Sequence, residues 1–103
     1  MVPSFEVVTE PSPEGVRVLA RGELDMYTAE DVTHVLASVE AAEPGAVVLD
    51  LSEVTFIDST GLRLIVAASV RSTRNGNHLS IVPSPAVDRV IDLCDIREQL
   101  PLS

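Results

Sequence analysis

Apolar runs suited to β-strands alternate with apolar stripes at helical spacing along most of this chain, and this alternation restricts the folds it can adopt. The strand-type runs lie at Phe5–Thr9, at residues 16–21, at Val47–Leu51 with a continuation at Val54–Ile57, and at His78–Val82. The helix-type stripes are formed by Val32, Val35, Leu36 and Val39, then by Leu62, Ile65, Val66, Ser69 and Val70, and finally by Val87, Val90, Ile91 and Cys94. The predicted order of elements is therefore β-β-α-β-α-β-α.

This order predicts an α/β fold in a single domain over residues 1–103. Strand–helix–strand units favour parallel pairing with right-handed crossovers, whereas the first two strands are close enough to form an antiparallel hairpin. We therefore expect a mixed, mostly parallel sheet of about four to five strands with about three to four helices. The apolar residues 46–49 fit a central strand covered on both faces, although helices on one face could also produce them.

Turn and cap residues separate these elements. Residues 11–15 read as a turn-rich break, Thr28 with Asp31 resembles a capping box, and Pro44-Gly45 ends the first helix. Asn75-Gly76 is a good left-handed end for the second helix. Ser84-Pro85 should begin the third, with serine as the N-cap, and residues 96–103 remain as a tail.

The cysteine content and the hydropathy of the chain predict an intracellular protein. The single cysteine, Cys94, excludes an intrachain disulfide, fits a reducing compartment, and should be buried on the apolar face of the last helix. The chain shows no charged-then-apolar leader at Met1, and its longest apolar stretch, residues 62–70, is too short to span a bilayer. We expect a cytoplasmic location without membrane insertion.

The charge balance limits the partners of the chain. Its formal net charge is −9, and all of its basic residues are arginine. Such a chain should not bind nucleic acid or anionic lipid by charge. The acidic excess fits either a solvated face that keeps the protein soluble or a surface that attracts a basic partner.

The junction between the third strand and the second helix, Asp58-Ser59-Thr60-Gly61-Leu62, is the main candidate for a functional site. A serine in the first turn of a helix lies where unpaired backbone N–H groups can receive an anion such as phosphate. A hydrolase is disfavoured because Ile57 occupies the first glycine position of the G-x-S-x-G elbow. His34 and His78 show no pattern that would make either of them the base of this serine, and each reads as a surface histidine.

Two further kinds of chemistry are also disfavoured. Asp50 at the end of an apolar run could be a phospho-acceptor aspartate, but the chain contains no lysine to meet the phosphoryl group, so we interpret Asp50 as a strand-end or turn residue. One cysteine and two distant histidines give no metal-ligand spacing, and no nucleotide-binding P-loop is present in the sequence.

Two interpretations of the junction remain, and they can both hold. Asp58 or Ser59 can be a simple N-cap, with Gly61 as a permissive residue in the first turn. Ser59 can also be a switch, because phosphorylation would add about −1.5 to −2 charges beside Asp58 and Asp25 and would repel a partner that docks there.

Four segments together resemble the STAS domain of bacterial anti-sigma-factor antagonists. They are Gly22-Glu23-Leu24-Asp25 with Thr28-Ala29, then Val48-Leu49-Asp50-Leu51-Ser52, then Phe56-Ile57-Asp58-Ser59-Thr60-Gly61-Leu62, and finally Pro83-Ser84-Pro85 with Val87, Arg89 and Val90. The match covers almost the whole chain, in order, and it implies a single STAS-like domain.

The resemblance implies a partner-switching protein without catalytic residues or a cofactor of its own. Members of this family, when unphosphorylated, bind an anti-sigma factor that is also a serine kinase and so free a sigma factor. Phosphorylation of the motif serine breaks that complex, and a serine phosphatase restores it. By position the phospho-acceptor is Ser59, with Thr60 as the alternative, and the partner-binding residues are Asp25, Asp58, Ser59, Thr60, Gly61, Leu62 and Arg63.

The resemblance also leaves a second role open, and the sequence departs from the family pattern at one place. A STAS domain can be a fixed subunit of a transport or signalling complex without a phosphorylation cycle. Many relatives have a glycine after the last helix, whereas this chain reads Leu93-Cys94-Asp95-Ile96. Asp95 tolerates the left-handed region less well than glycine does, which leaves the helix end and the tail unassigned.

Overall fold

The computed structural model describes residues 5–13, 15–42, 44–76 and 78–103. The strands are β1 (Phe5–Ser12), β2 (Gly15–Leu24), β3 (Ala46–Ile57) and β4 (His78–Val82). The helices are α1 (Thr28–Ala41), α2 (Ser59–Asn75) and α3 (Pro85–Leu93), followed by a 3-10 turn at Arg97–Gln99. The predicted α/β fold and its β-β-α-β-α-β-α order are confirmed. Residues 1–4, 14, 43 and 77, which belong to the predicted domain and its turns, lie outside the described residues.

The four strands form one sheet in the order β1-β2-β3-β4. The hairpin pair β1–β2 is antiparallel, and the pairs β2–β3 and β3–β4 are parallel. Leu24 at the end of β2 pairs with Ile57 at the end of β3. The residues that follow these two strands, Asp25 and Asp58, therefore leave the sheet at the same edge.

An aliphatic core holds the helices against one face of the sheet. Its fully buried side chains include Val18, Leu24, Val32, Leu36, Leu49, Ile65, Ile81, Val87 and Ile91. Each such side chain stabilises the fold by about 1.5–3 kcal/mol through its removal from water. Alternate residues of β2 point the other way, where Arg21 pairs with Glu6 and Glu53. Of the two arrangements that the apolar residues of β3 allowed, helices on one face is therefore the one observed.

The interpretation of Asp50 as a strand-end or turn residue is wrong. It lies inside β3 and is only 5% exposed, and its carboxylate accepts hydrogen bonds from Arg17 at 3.0 Å and from the backbone N–H of Ser52 at 2.9 Å. The strand continues to Ile57 through two irregularities in its register with β2. A buried carboxylate is tolerated here because a cation on the neighbouring strand and a backbone donor satisfy it.

The buried side of α2 is rotated from the predicted one. Leu64, Ile65, Ala68 and Ser69 are buried, whereas Val66 and Val70, expected to face the core, are 38% and 50% exposed. Gly61 in the first turn belongs to the same buried side of the helix.

The end of α3 was also predicted incorrectly. Cys94, expected to be buried, is exposed because the helix ends at Leu93 and the chain turns at Asp95, which adopts the left-handed φ of 54°. The tail then runs beside β4, where Ile81 accepts a hydrogen bond from Ser103 N–H at 2.8 Å and donates one to Pro101 at 2.9 Å. Arg97 ties this segment to Asp88 and Asp92 on α3.

The remaining caps follow the sequence. Gly76 ends α2 with a φ of 71°, and the Ser84 hydroxyl accepts the backbone N–H of Val87 at 3.1 Å with Pro85 at the start of α3. At the first hairpin, β1 extends through Ser12 instead of ending near Thr9, so the turn is shorter than expected.

Candidate functional site

Two connections meet at the edge of the sheet where β2 and β3 end. The loop from β2 to α1 contains Asp25, Met26 and Tyr27, and the step from β3 to α2 is the single residue Asp58. The backbone N–H of Asp58 donates to the carbonyl of Leu24 at 3.2 Å and joins the two connections directly. The structure thus brings Asp25 and the Asp58–Leu62 segment to one edge of the sheet, as the resemblance to the STAS domain implied.

Asp58 caps α2 and fixes the position of Ser59. Its backbone is extended (φ −105°, ψ −173°), and its carboxylate accepts the backbone N–H of Gly61 at 2.9 Å. The first helical hydrogen bond, from Leu62 N–H to the Asp58 carbonyl, is 3.0 Å long. Ser59 is the first residue of the helix and is exposed, and its hydroxyl makes no hydrogen bond with any residue that the structure describes. Its hydroxyl is therefore accessible, and no neighbouring base activates it.

Gly61 is buried where the start of α2 approaches the sheet most closely. A Cβ atom at this position would lie 2.8 Å from the carbonyl oxygen of Leu24 and 2.8 Å from Cγ1 of Ile57. The residue is thus needed for close packing, which corrects the interpretation of Gly61 as merely permissive in conformation.

The loop before α1 is held by Asp25, and not by the predicted capping box. The Asp25 carboxylate accepts the backbone N–H groups of Tyr27 at 2.9 Å and Thr28 at 3.0 Å. The Thr28 hydroxyl donates to the Glu23 carbonyl at 2.7 Å, and Asp31 takes no part in a cap. The hydrogen bond from the backbone N–H of Thr28 is the main cause that holds the pKa of the Asp25 carboxyl below its usual value. Partial burial of Asp25 opposes it, and the N–H of Tyr27 and the Thr28 hydroxyl lower the pKa further.

Asp25→Asn should make the folding stability less dependent on acid. Because the pKa of Asp25 is lower in the folded state, its contribution is complete above the unfolded-state pKa and is lost as the pH falls through the folded-state pKa. Urea unfolding should show the largest difference between wild type and Asp25→Asn above about pH 5, with a smaller difference near pH 3. The matched control is Asp31→Asn, which removes the same charge from an exposed residue of the first turn of α1. Equal acid dependence in both variants would contradict this assignment.

The loop from β2 to α1, at the same edge of the sheet as Ser59, contains exposed apolar residues that the sequence reasoning missed. Met26 and Tyr27 are 59% and 78% exposed although their loop is tightly hydrogen bonded. Met26 borders a groove between α1 and α2, whose lining also includes Glu30, His34, Thr60 and Arg63. The loop that carries Met26 and Tyr27 is held by hydrogen bonds, and an ordered loop with two large exposed side chains is typical of a contact surface.

The described residues offer this site no other evident chemistry. They contain no group of three His, Cys, Asp or Glu side chains placed to hold a metal ion. None of the helices in the described ranges has the length and hydropathy needed to cross a membrane. His34 and His78 are exposed, as predicted.

Comparison with known proteins gives one consistent family. The family model of the STAS domain matches residues 6–103. An anti-sigma-F factor antagonist of Mycobacterium tuberculosis is 40% identical over 68 residues, which are 65% of this chain and 56% of that protein. The chain thus spans little more than half the length of that curated relative. An anti-sigma-B factor antagonist of Staphylococcus epidermidis is 31% identical over 96 residues, 92% of this chain and 87% of that protein.

A solved structure agrees in fold over nearly the whole chain. It is the crystal structure of an anti-sigma factor antagonist from Mycobacterium paratuberculosis, with a TM-score of 0.85 and 31% identity. The superposition covers 96% of this chain and 85% of that one.

Proposed function

The chain belongs to the STAS domain family, and we propose that it is an anti-sigma factor antagonist whose docking is switched off by phosphorylation of Ser59. The observation that carries this proposal is the position of Ser59. Its hydroxyl is exposed and unbonded at the start of a helix whose neighbours are fixed by the Asp58 cap and by Gly61.

The proposed mechanism is electrostatic. In the unmodified protein, a neutral serine follows Asp58 at the edge of the sheet where the loop of Asp25, Met26 and Tyr27 also lies. A partner can cover this surface and pair its own cations with the two carboxylates. Phosphorylation adds about −1.5 to −2 charges and a bulky, strongly hydrated group, so the same interface would have to bury additional unpaired charge. Binding is therefore lost without any change in fold.

The proposed partner is an anti-sigma factor that is also a serine kinase. It supplies ATP and Mg²⁺, and the γ-phosphoryl group passes to Oγ of Ser59 while ADP leaves and the hydroxyl proton goes to a base of the kinase. A serine phosphatase returns the hydroxyl by hydrolysis. This chain is then a substrate in both reactions, acts in the cytoplasm, and needs no cofactor.

Exposure favours Ser59 over Thr60 as the acceptor. Ser59 is exposed, whereas Thr60 is half-buried and lies against the groove between α1 and α2. Phosphoryl transfer needs in-line access to the hydroxyl oxygen, which the structure provides more openly at Ser59.

The proposal is tested by incubating the protein with candidate ATP-binding anti-sigma factors, ATP and Mg²⁺, and locating the phosphate by mass spectrometry. We expect one phosphate in the wild type and in Thr60→Val, and none in Ser59→Ala. Phosphate that persists in Ser59→Ala would overturn the assignment of Ser59. Co-purification with a transport ATPase, with no phosphate on either residue, would instead support the fixed-subunit role.

A further inference from the structure

Arg63 lies one helical turn after Ser59 on the same face of α2. Residues four apart on a helix have Cβ atoms about 5–6 Å apart, and their side chains can meet. Both Ser59 and Arg63 are exposed. The Arg63 side chain makes no hydrogen bond or ion pair with any residue in the described part of the chain, so its guanidinium is free in the unmodified protein.

Arg63 is also the cation of α2 that is nearest to Ser59. The helix contains three arginines and no acidic residue. Arg71 is occupied by Glu40 on α1, with N–O distances of 3.0 and 3.2 Å. Arg74 lies in the last turn, at the opposite end of the helix.

None of the neighbouring ionisable side chains in the described ranges forms an ion pair with Arg63. Asp58 caps the helix through Gly61, and Asp25 is engaged by the backbone of its own loop. Glu30 and His34 of α1 line the same groove as Arg63, but neither is bonded to it. A phosphate on Ser59 would lie one helical turn from Arg63 and would carry more negative charge than a single carboxylate.

We infer that Arg63 is the intrahelical partner of the phosphorylated Ser59 side chain. This inference rests on the proposed function, because it concerns the phosphorylated state. The planar guanidinium can donate two parallel N–H bonds to phosphate oxygens, and a residue four positions towards the C-terminus places it within reach. The pair favours the dianionic form of the phosphate.

The pair gives phosphorylation two effects on the docking surface at once. The phosphate adds negative charge at Ser59, and it also withdraws the Arg63 guanidinium from any acidic group of the partner. A partner that uses both features therefore loses a favourable contact and gains a repulsive one through a single modification.

The test uses the full chain with phosphoserine incorporated at position 59 during synthesis, so that no kinase is required. The second pKa of the phosphate is measured by ³¹P NMR in the wild type, Arg63→Gln, Arg63→Lys and the control Arg74→Gln. We expect Arg63→Gln to raise this pKa by about 0.5 to 1 unit, the size of an exposed ion pair near 4 Å. Arg63→Lys should raise it less, and Arg74→Gln should leave it within about 0.2 units because the distance exceeds the Debye length.

A second NMR signal distinguishes a direct contact between Arg63 and the phosphate from the long-range electrostatic effect of the arginine charge. The Nε–H resonance of Arg63 should shift with the same midpoint as the phosphate, and the pKa difference should shrink in 1 M salt, where the Debye length is about 3 Å. An unchanged pKa in Arg63→Gln, or an equal change in Arg74→Gln, would overturn the inference. These outcomes do not depend on whether a kinase modifies Ser59, so a failure of the pair and a failure of the proposed function are told apart.

Discussion

Ser59→Glu should weaken binding to the anti-sigma factor by roughly 30-fold or more, because a buried, unpaired carboxylate at an interface costs at least about 2 kcal/mol. Glutamate adds a charge next in sequence to Asp58, at the edge of the sheet where Asp25 also lies, and both carboxylates already accept hydrogen bonds within the loop and the cap. Calorimetric titration of the purified partner into each variant measures the effect directly.

Two neutral variants are the controls for charge and size. Ser59→Gln has nearly the same shape as Ser59→Glu without the charge, and Ser59→Ala removes the hydroxyl. The Ser59 hydroxyl makes no hydrogen bond within the described chain, so we expect Ser59→Ala to bind within about threefold of the wild type. If Ser59→Gln lost as much affinity as Ser59→Glu, bulk and not charge would be responsible, and the electrostatic switch would be wrong.

Gly61→Ala should destabilise the fold by about 1 to 3 kcal/mol, the usual range for an overpacked site. The added Cβ would lie 2.8 Å from the Leu24 carbonyl, a backbone atom that also accepts the Asp58 N–H and cannot move freely. Urea unfolding measures this loss, and Gly61→Val should lose still more.

Gly76→Ala is the comparison that isolates crowding at Gly61. At Gly76 nothing lies within 4 Å of the added Cβ, and only the positive φ of 71° opposes a side chain. That conformational cost is about 1 kcal/mol. If Gly61→Ala destabilised the protein less than Gly76→Ala, the close approach of α2 to the sheet would not be the reason for glycine at position 61.

Local signals account for the parts of the structure that the sequence predicted. Ser84 and Pro85 begin α3, and Gly76 ends α2, because a cap is decided by a few neighbouring residues. The order of the elements followed from periodicity in the same way. That Asp25 and Asp58 share one surface was implied by the resemblance to the STAS domain, and the structure gives the reason: β2 and β3 are parallel and end side by side.

The incorrect predictions have two causes, a partner that is distant in sequence and local alternatives that periodicity cannot rank. Asp50 looked like a strand end because its partner, Arg17, is 33 positions away in sequence. Thr28 was assigned as the cap, but Asp25 competes for the same backbone donors and occupies them. Cys94 fits the apolar stripe of α3, yet the helix ends one residue earlier. Periodicity shows which residues can share a face, and tertiary packing decides which face is buried.

The fixed first turn of α2 bears on how fast the proposed switch at Ser59 can act. The serine lies on a long helix whose first turn is fixed by the Asp58 cap and by the packing of Gly61, so we expect the proposed phosphorylation to leave the backbone of this turn in place. The proposed switch would then add no conformational step in the microsecond-to-second range of allosteric transitions. We therefore expect the duration of each signal to be set entirely by the enzymes that add and remove the phosphate, with this chain responding at once to either.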